Sequence, residues 1–124
     1  MKELTFEKPV MSPYGEDLWE LVEGWHITFR GEDYCVNAGF VTDGASIPSW
    51  LWVICGHPMK QPRLFAALVH DYLYDGNDPE ATRKDADDLY RELQIALGVS
   101  KFKAYTEWSA LRMFGGSHWK GQKE

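Results

Sequence analysis

Alternating apolar and polar residues in the first third of the chain predict short β-strands. Over residues 25–30 every second side chain is apolar, which is the period of a strand with one buried face. His26 falls on the polar face of this strand, so we expect it to be exposed. The strands predicted in this region are 18–22, 25–30 and 34–36.

Apolar residues at helical spacing predict three helices in the second half of the chain. The first runs from about Pro62 to Tyr74, and the second has Asp78 as its N-cap and ends at Gly98. The third is capped by Ser100 and ends near Gly115 and Gly116. The apolar residues of the third helix that we expect to pack are Phe102, Tyr105, Trp108 and Met113.

Strands followed by helices predict an α+β fold. In this fold a small antiparallel sheet from the N-terminal half is packed by about three helices from the C-terminal half. Because 124 residues suit one continuous core, we expect a single domain over residues 1–116. Residues 117–124 are expected to form a loose C-terminal tail.

Composition and charge argue against several classes of protein. With 44% hydrophobic and 15% aromatic residues, the chain is expected to be globular. Residues 1–97 carry 8 Lys or Arg against 17 Asp or Glu, so nucleic acid is not an expected partner. No apolar run approaches the roughly 20 residues of a membrane helix, so membrane insertion is not expected. The N-terminal sequence lacks the apolar centre of a secretory signal, which predicts synthesis in the cytoplasm. Cys35 and Cys55 are expected to be buried thiols.

Two titratable residues interrupt the apolar run at 64–76. A helix that is apolar nearly all round is usually buried, and an unpaired polar group there costs about 1–3 kcal/mol. His70 and Asp71 therefore need partners. Arg83 and Asp87 are four residues apart on the next helix, so they lie on the same face of it. The short loop between the two helices makes them antiparallel neighbours, so both side chains can reach the first helix.

The turn before the helices completes a candidate site, because Asp43 and Ser46 lie among small residues there. Three carboxylates and one imidazole suit a divalent cation such as Zn²⁺, Mn²⁺ or Mg²⁺. The same groups without a metal form a hydrogen-bond network in which Arg83 binds a carboxylate. We assign Asp43, His70 and Asp71 as candidate catalytic residues, Asp43, His70 and Asp87 as candidate metal ligands, and Ser46 and Arg83 as the supporting network.

Two observations bear on the chemistry of this site. Adjacent side chains on a helix diverge by about 100°, so His70 and Asp71 are not expected to chelate one ion easily. Ser46 and His70 with an aspartate have the composition of a catalytic triad, yet the stretch TDGASIP is not a nucleophile elbow. A functional pocket and a purely structural network both stay open at this point.

Several motifs together resemble a small domain family of unknown function, encoded mostly by tailed bacteriophages and prophages. The stretches are GFVTDGASIPSWLW, HDYLY, RKDAD, LGV and MFG, and the resemblance covers roughly residues 35–119. It implies a phage origin and brings no assigned chemistry. Ser49 stands where the family has a basic residue. The family signature falls on Thr42, Asp43, Gly44, Ser46, Pro48, His70, Asp71, Arg83 and Asp87.

Two functional hypotheses follow from the site and the resemblance. In the first, the chain is a bacteriophage-encoded accessory protein that acts as a small metal-assisted hydrolase on the cell envelope. In the second, it is a non-enzymatic structural, tail or assembly component whose polar cluster fixes helix packing. The expected partners are phage virion proteins or the bacterial cell-envelope polymer. We expect the protein in the host cytoplasm at synthesis and in the virion afterwards.

Overall fold

The chain divides into two compact units. A computed structural model describes residues 3–15, 18–42 and 61–121. The first unit is Met1–Asp43 and the second is Gly44–Glu124. The single domain over residues 1–116 stays a prediction, and each unit is described by itself below.

The first unit contains two three-stranded antiparallel sheets in its described residues. One sheet has the order β1 (Leu4–Phe6), β4 (Trp25–Phe29), β5 (Glu32–Val36), and the other has the order β2 (Met11–Gly15), β3 (Leu18–Leu21), β6 (Val41–Thr42). The predicted strands are confirmed as β3, β4 and β5. The predicted alternation is also confirmed, because β4 buries Trp25, Ile27 and Phe29 and exposes His26.

Cys35 is exposed, which corrects the prediction of a buried thiol. Tyr34 and Val36 on either side of it are buried, and alternation along β5 therefore turns Cys35 outward. Its partner across the sheet is His26, and Cys35 Sγ lies 3.8 Å from His26 Nε2. Cys55 lies outside the described residues.

The second unit contains three described helices, α1 (Gln61–Tyr74), α2 (Arg83–Ala96) and α3 (Lys101–Phe114), followed by a 3-10 turn at Gly115–His118. α2 packs against both α1 and α3. These elements confirm the predicted α+β class. No described helix is long and apolar enough to cross a membrane. The buried residues of α1 confirm its predicted burial and are Leu64, Ala66, Ala67, Leu68, Val69, His70, Tyr72, Leu73 and Tyr74.

The N-cap predicted for α2 is wrong. The helix begins after Thr82, whose hydroxyl accepts a hydrogen bond of 3.0 Å from the backbone N–H of Asp85. Asp78 instead accepts a 3.0 Å hydrogen bond from the backbone N–H of Glu80, in the turn before the helix. In both a turn and a helix N-cap, an aspartate side chain accepts a hydrogen bond from a backbone N–H a few residues later. The sequence alone therefore does not distinguish a turn from a helix start at Asp78.

The cap predicted for α3 is confirmed, whereas three of its four predicted packing residues are exposed. The fourth, Trp108, is half-buried and donates a 2.7 Å hydrogen bond to Asp88 Oδ1 on α2. Ser100 is the N-cap and accepts a 3.3 Å hydrogen bond from the backbone N–H of Lys103. Phe102, Tyr105 and Met113 are exposed. Small side chains let α3 approach α2 closely, and its buried residues are Ala104, Glu107, Ala110 and Leu111.

Part of the predicted loose tail contacts the end of α1. The backbone N–H of Lys120 donates a 2.8 Å hydrogen bond to the carbonyl of Tyr74. The ring of Trp119 meets the ring of Tyr74 edge-on, with centroids 5.1 Å apart. Gly76 has a φ of +81°, and a Cβ there would lie 2.9 Å from the carbonyl oxygen of Lys120. A glycine is therefore required where this segment crosses the end of the helix.

Candidate functional site

His70 is buried between α1 and α2, with only 2% of its surface exposed. Its Nε2 lies 2.9 Å from Asp87 Oδ1. The rings of Tyr74 and Tyr90 enclose it, with centroids 4.1 and 5.1 Å from the imidazole. The structure therefore brings together the histidine and the α2 aspartate that the sequence suggested as neighbours.

Asp87 accepts hydrogen bonds from three residues on two other helices and is fully buried. Tyr74 donates its hydroxyl to Oδ1 at 2.6 Å, beside the bond from His70. Arg112 Nη1 donates to Oδ2 at 2.9 Å. Arg83 Nε lies 3.9 Å from Oδ2 and adds a longer ion pair. These contacts compensate for taking a carboxylate out of water.

Arg83 contacts the end of α3 more closely than it contacts Asp87. Its Nη2 donates to the carbonyls of Leu111 and Arg112 at 2.7 and 3.0 Å, and its Nε donates to the Tyr74 hydroxyl at 3.1 Å. Carbonyls in the last turn of a helix favour a cation, which explains this placement. Gly115 is required here, because a Cβ would lie 2.9 Å from the Tyr74 hydroxyl.

The second ring nitrogen of His70 is the unusual feature of the site. His70 Nδ1 is buried and has no hydrogen-bond partner among the residues that the structure describes. Asp71 Oδ1 lies 4.0 Å from this nitrogen, which is too far for a hydrogen bond. The side chain of Asp71 is 26% exposed. Adjacent side chains on a helix diverge by about 100°, yet His70 Nδ1 and Asp71 Oδ1 lie near each other.

Mutual contacts shift the pKa values of three groups at the site. Burial by itself lowers the pKa of His70, but the neighbouring Asp71 and Asp87 carboxylates outweigh it and raise that pKa above 6.5. Burial raises the pKa of Asp87, whereas His70, Tyr74 and Arg112 outweigh burial and lower it below 3.8. Burial and the Asp87 carboxylate raise the pKa of Tyr74 far above its usual 10. Asp87 is therefore charged at neutral pH, and Tyr74 stays a proton donor.

Two of the predicted site residues, Asp43 and Ser46, lie outside the described residues. His70, Asp71, Arg83 and Asp87 are described and lie at the α1–α2 contact. Across the described ranges 3–15, 18–42 and 61–121, no group of three or more His, Cys, Asp and Glu side chains could hold a metal ion.

Tyr74 and Arg112 are site residues that were not predicted. Tyr74 follows His70 by four positions, so helical spacing places both side chains on one face of α1. That spacing could have found Tyr74. Arg112 lies in the last turn of α3, 25 residues from Asp87, and no local pattern connects the two.

A second buried carboxylate on the same helices provides a comparison. Glu107 on α3 is fully buried. It accepts hydrogen bonds from the Tyr90 hydroxyl at 2.9 Å and from Gln94 Nε2 at 3.3 Å. It connects α2 and α3 without contacting His70 in these hydrogen bonds, and so it is a suitable control position.

Comparison with known proteins gives a family but no chemistry. Residues 19–111 match the family described as "Protein of unknown function (DUF1353)". Two relatives come from Sinorhizobium fredii (strain NBRC 101917 / NGR234). Uncharacterized protein y4iH is 30% identical over 90 residues, covering 73% of this chain and 37% of that protein. Uncharacterized protein y4jT is 32% identical over 89 residues, covering 69% of this chain and 25% of that protein. The chain thus spans well under half the length of either relative. No solved structure matches the chain.

Proposed function

The chain belongs to the DUF1353 family of proteins of unknown function, and we propose that it is a small metal-assisted hydrolase in which His70 is a metal ligand. One observation carries this proposal. Asp87 contacts Nε2 of the imidazole, while the buried Nδ1 has no hydrogen-bond partner within the described residues.

The contact with Asp87 sets the chemistry of His70. When Nε2 carries the hydrogen that Asp87 accepts, the lone pair of the neutral ring is on Nδ1. Histidines that bind metals commonly donate their other N–H to a carboxylate in this way, which fixes the ring and increases its basicity. We therefore assign Asp87 the role of orienting His70, since its oxygens already accept from three donors.

The described residues supply two donors for a cation. With metal–ligand bonds of about 2.1 Å, two donors of a tetrahedral site lie about 3.4 Å apart. His70 Nδ1 and Asp71 Oδ1, at 4.0 Å, would need only a small side-chain movement to share one ion. We propose Asp43 as the third donor from its position in the sequence motif. A divalent cation held there would lower the pKa of a bound water and so generate a nucleophile near neutral pH.

The biological setting belongs to the same proposal and is supported by the motifs that resemble a phage and prophage family. We propose that a bacteriophage or prophage encodes the chain. The substrate would be a hydrolysable bond in the bacterial cell envelope. The protein would be made in the host cytoplasm, and virion proteins are the proposed macromolecular partners.

A second candidate function is a non-enzymatic phage structural, tail or assembly component. It is supported by the contacts of Asp87, which joins all three described helices of the second unit. His70 and Tyr74 approach it from α1, and Arg112 approaches it from α3. In this case the polar cluster fixes helix packing and has no reactive role.

Metal binding separates the two candidates. The purified protein is stripped with EDTA and titrated with Zn²⁺ and Mn²⁺ in a calorimeter, alongside His70→Gln, Asp71→Asn and the control Glu107→Gln. We expect the wild type and the control to bind about one equivalent. His70→Gln should bind none, and Asp71→Asn should bind at least about tenfold more weakly. Release of soluble fragments from purified peptidoglycan then tests hydrolysis.

If the polar cluster only fixes helix packing, the wild type should bind neither Zn²⁺ nor Mn²⁺. If neither ion binds to the wild type, and His70→Gln only lowers the melting temperature, the hydrolase proposal is wrong. The control matters because Glu107→Gln also removes a buried carboxylate between helices. This control therefore shows how far a loss of stability, without loss of a metal ligand, changes the measured metal binding.

A further inference from the structure

Large exposed apolar side chains of the described residues fall into two patches, one in each unit. We define the hairpin patch as Val10, Tyr14 and Val22 in the first unit. We define the α3 stripe as Phe102, Tyr105 and Met113 in the second. Phe114 is also exposed, next to the stripe. Neither patch includes His70 or its contacts.

The α3 stripe lies on one face of its helix, with exposed Ser109 between Tyr105 and Met113. At 100° per residue its three side chains point within about 80° of each other, and they extend about 16 Å along the axis. Phe102 and Met113 are 74% and 73% exposed, although both are large and apolar. The opposite face of α3 is buried, so this stripe is the face that α3 turns to solvent.

The charges beside the stripe are positive. Lys101 and Lys103 are exposed and lie about 100° to either side of Phe102. The acidic residue of α3, Glu107, is buried on the other face. A partner for the stripe therefore needs apolar side chains with carboxylates beside them.

The hairpin patch has the matching arrangement. The backbone N–H of Val22 donates to the carbonyl of Val10 at 2.8 Å, so these two valines lie side by side. They are 49% and 48% exposed. Glu20 is two residues before Val22 and therefore points to the same face of the sheet. Exposed Glu23 follows, and residues 7–23 contain five acidic residues and one lysine.

We propose that the α3 stripe of one copy of the chain binds the hairpin patch of a second copy. Each copy carries both an apolar patch with cations and an apolar patch with carboxylates, so the two surfaces are complementary in both respects. A contact between different patches is head to tail, and it forms rings or open filaments according to its geometry. The contact is separate from the proposed hydrolase site.

Sedimentation over a range of concentrations tests the association, with Phe102→Ser and Val22→Ser as variants that each remove one patch. We expect the wild type to associate reversibly and to dissociate in high salt, because exposed charges are screened. Each variant should raise the midpoint concentration at least about tenfold. An equimolar mixture of the two variants should form dimers, because each supplies the patch that the other lacks.

Three results would overturn the proposal. The first is a wild type that stays monomeric up to about 1 mM. The second is a mixture of variants that stays monomeric, which would mean that the two patches do not bind each other. The third is normal association of Val22→Ser, which is the behaviour of a symmetric contact between two α3 stripes. Circular dichroism of both variants verifies folding, because exposed positions usually change stability by less than about 0.5 kcal/mol.

Discussion

Replacing Asp87 by asparagine tests the centre of the polar cluster. The Asp87→Asn change keeps the size of the side chain and one acceptor oxygen, but it removes the charge and adds an N–H donor. That donor would face Arg112 on one side or Tyr74 and His70 on the other. Arg112 and the Tyr74 hydroxyl donate to Asp87, and His70 Nε2 could accept only if the ring moved its hydrogen to Nδ1. At least one buried hydrogen bond therefore becomes a contact between two donors.

The expected loss can be worked from the contacts. Asp87 accepts three short hydrogen bonds, and a bond to a charged group contributes about 1.5–3 kcal/mol. These contributions do not add fully, because the donors share one carboxylate. Removing one partner of a buried ion pair costs about 3–5 kcal/mol in comparable cases. We therefore expect Asp87→Asn to lower the free energy of unfolding by about 3–5 kcal/mol.

Urea unfolding followed by circular dichroism measures this change, provided that the slope with urea stays constant. Asp85→Asn is the matched control, because it makes the same chemical change two residues earlier on α2. Asp85 lies in the first turn and is only partly buried, so we expect a loss of about 0.3–1 kcal/mol from the helix dipole. A loss below about 1 kcal/mol for Asp87→Asn would refute the central role of this carboxylate.

Three further predictions follow from single contacts. Gly115→Ala should lower the free energy of unfolding by about 1–3 kcal/mol, because the new Cβ would lie 2.9 Å from the Tyr74 hydroxyl. Gly116→Ala is the control, because its Cβ would make only ordinary contacts from 3.6 Å and should lower this free energy less. Urea unfolding of the pair checks this, and equal losses would contradict it. Ser100→Ala should cost about 0.5–2 kcal/mol through the lost N-cap, measured in the same way, and no change would mean that the cap is unimportant. In EDTA, stability should be greatest between the ordinary pKa values of about 3.8 and 6.5. The contribution of Asp87 is lost as pH falls through its lowered pKa, and that of His70 is lost as pH rises through its raised pKa. His70→Gln should abolish the decline on the alkaline side, and its persistence would contradict the assignment.

The strands show what local pattern can and cannot predict. The alternation in β4 was sufficient, because one buried face imposes a period of two. β2 escaped prediction because Pro13 argues against a strand. The structure accommodates it at the edge of its sheet, where a missing N–H removes no hydrogen bond between central strands. Edge position is a property of the whole sheet and is not encoded in the five residues of β2.

Local pattern likewise predicts some features of the helices and not others. Burial of α1 and the pairing of His70 with Asp87 followed from helical spacing and a short loop. The outward face of α3 did not, because large apolar side chains ordinarily predict a buried face. The buried face uses Ala104 and Ala110, and their small size is what allows close approach to α2. Arg112 was also inaccessible to sequence reasoning, since only tertiary packing brings it to Asp87.

A reactive role and a packing role for His70 differ in what they require of its second ring nitrogen. A buried polar atom without a partner costs about 1–3 kcal/mol, and His70 Nδ1, Gln94 Oε1 and Trp119 Nε1 are in this state among the described residues. Of the three, the imidazole nitrogen is the one that binds a proton or a metal ion, because an amide oxygen is scarcely basic and an indole nitrogen is only a donor. Asp87 and Asp71 further stabilise positive charge on His70. A glutamine at position 70 could preserve a hydrogen bond to Asp87 without a basic nitrogen, so retained stability with lost metal binding in His70→Gln would distinguish reactivity from packing.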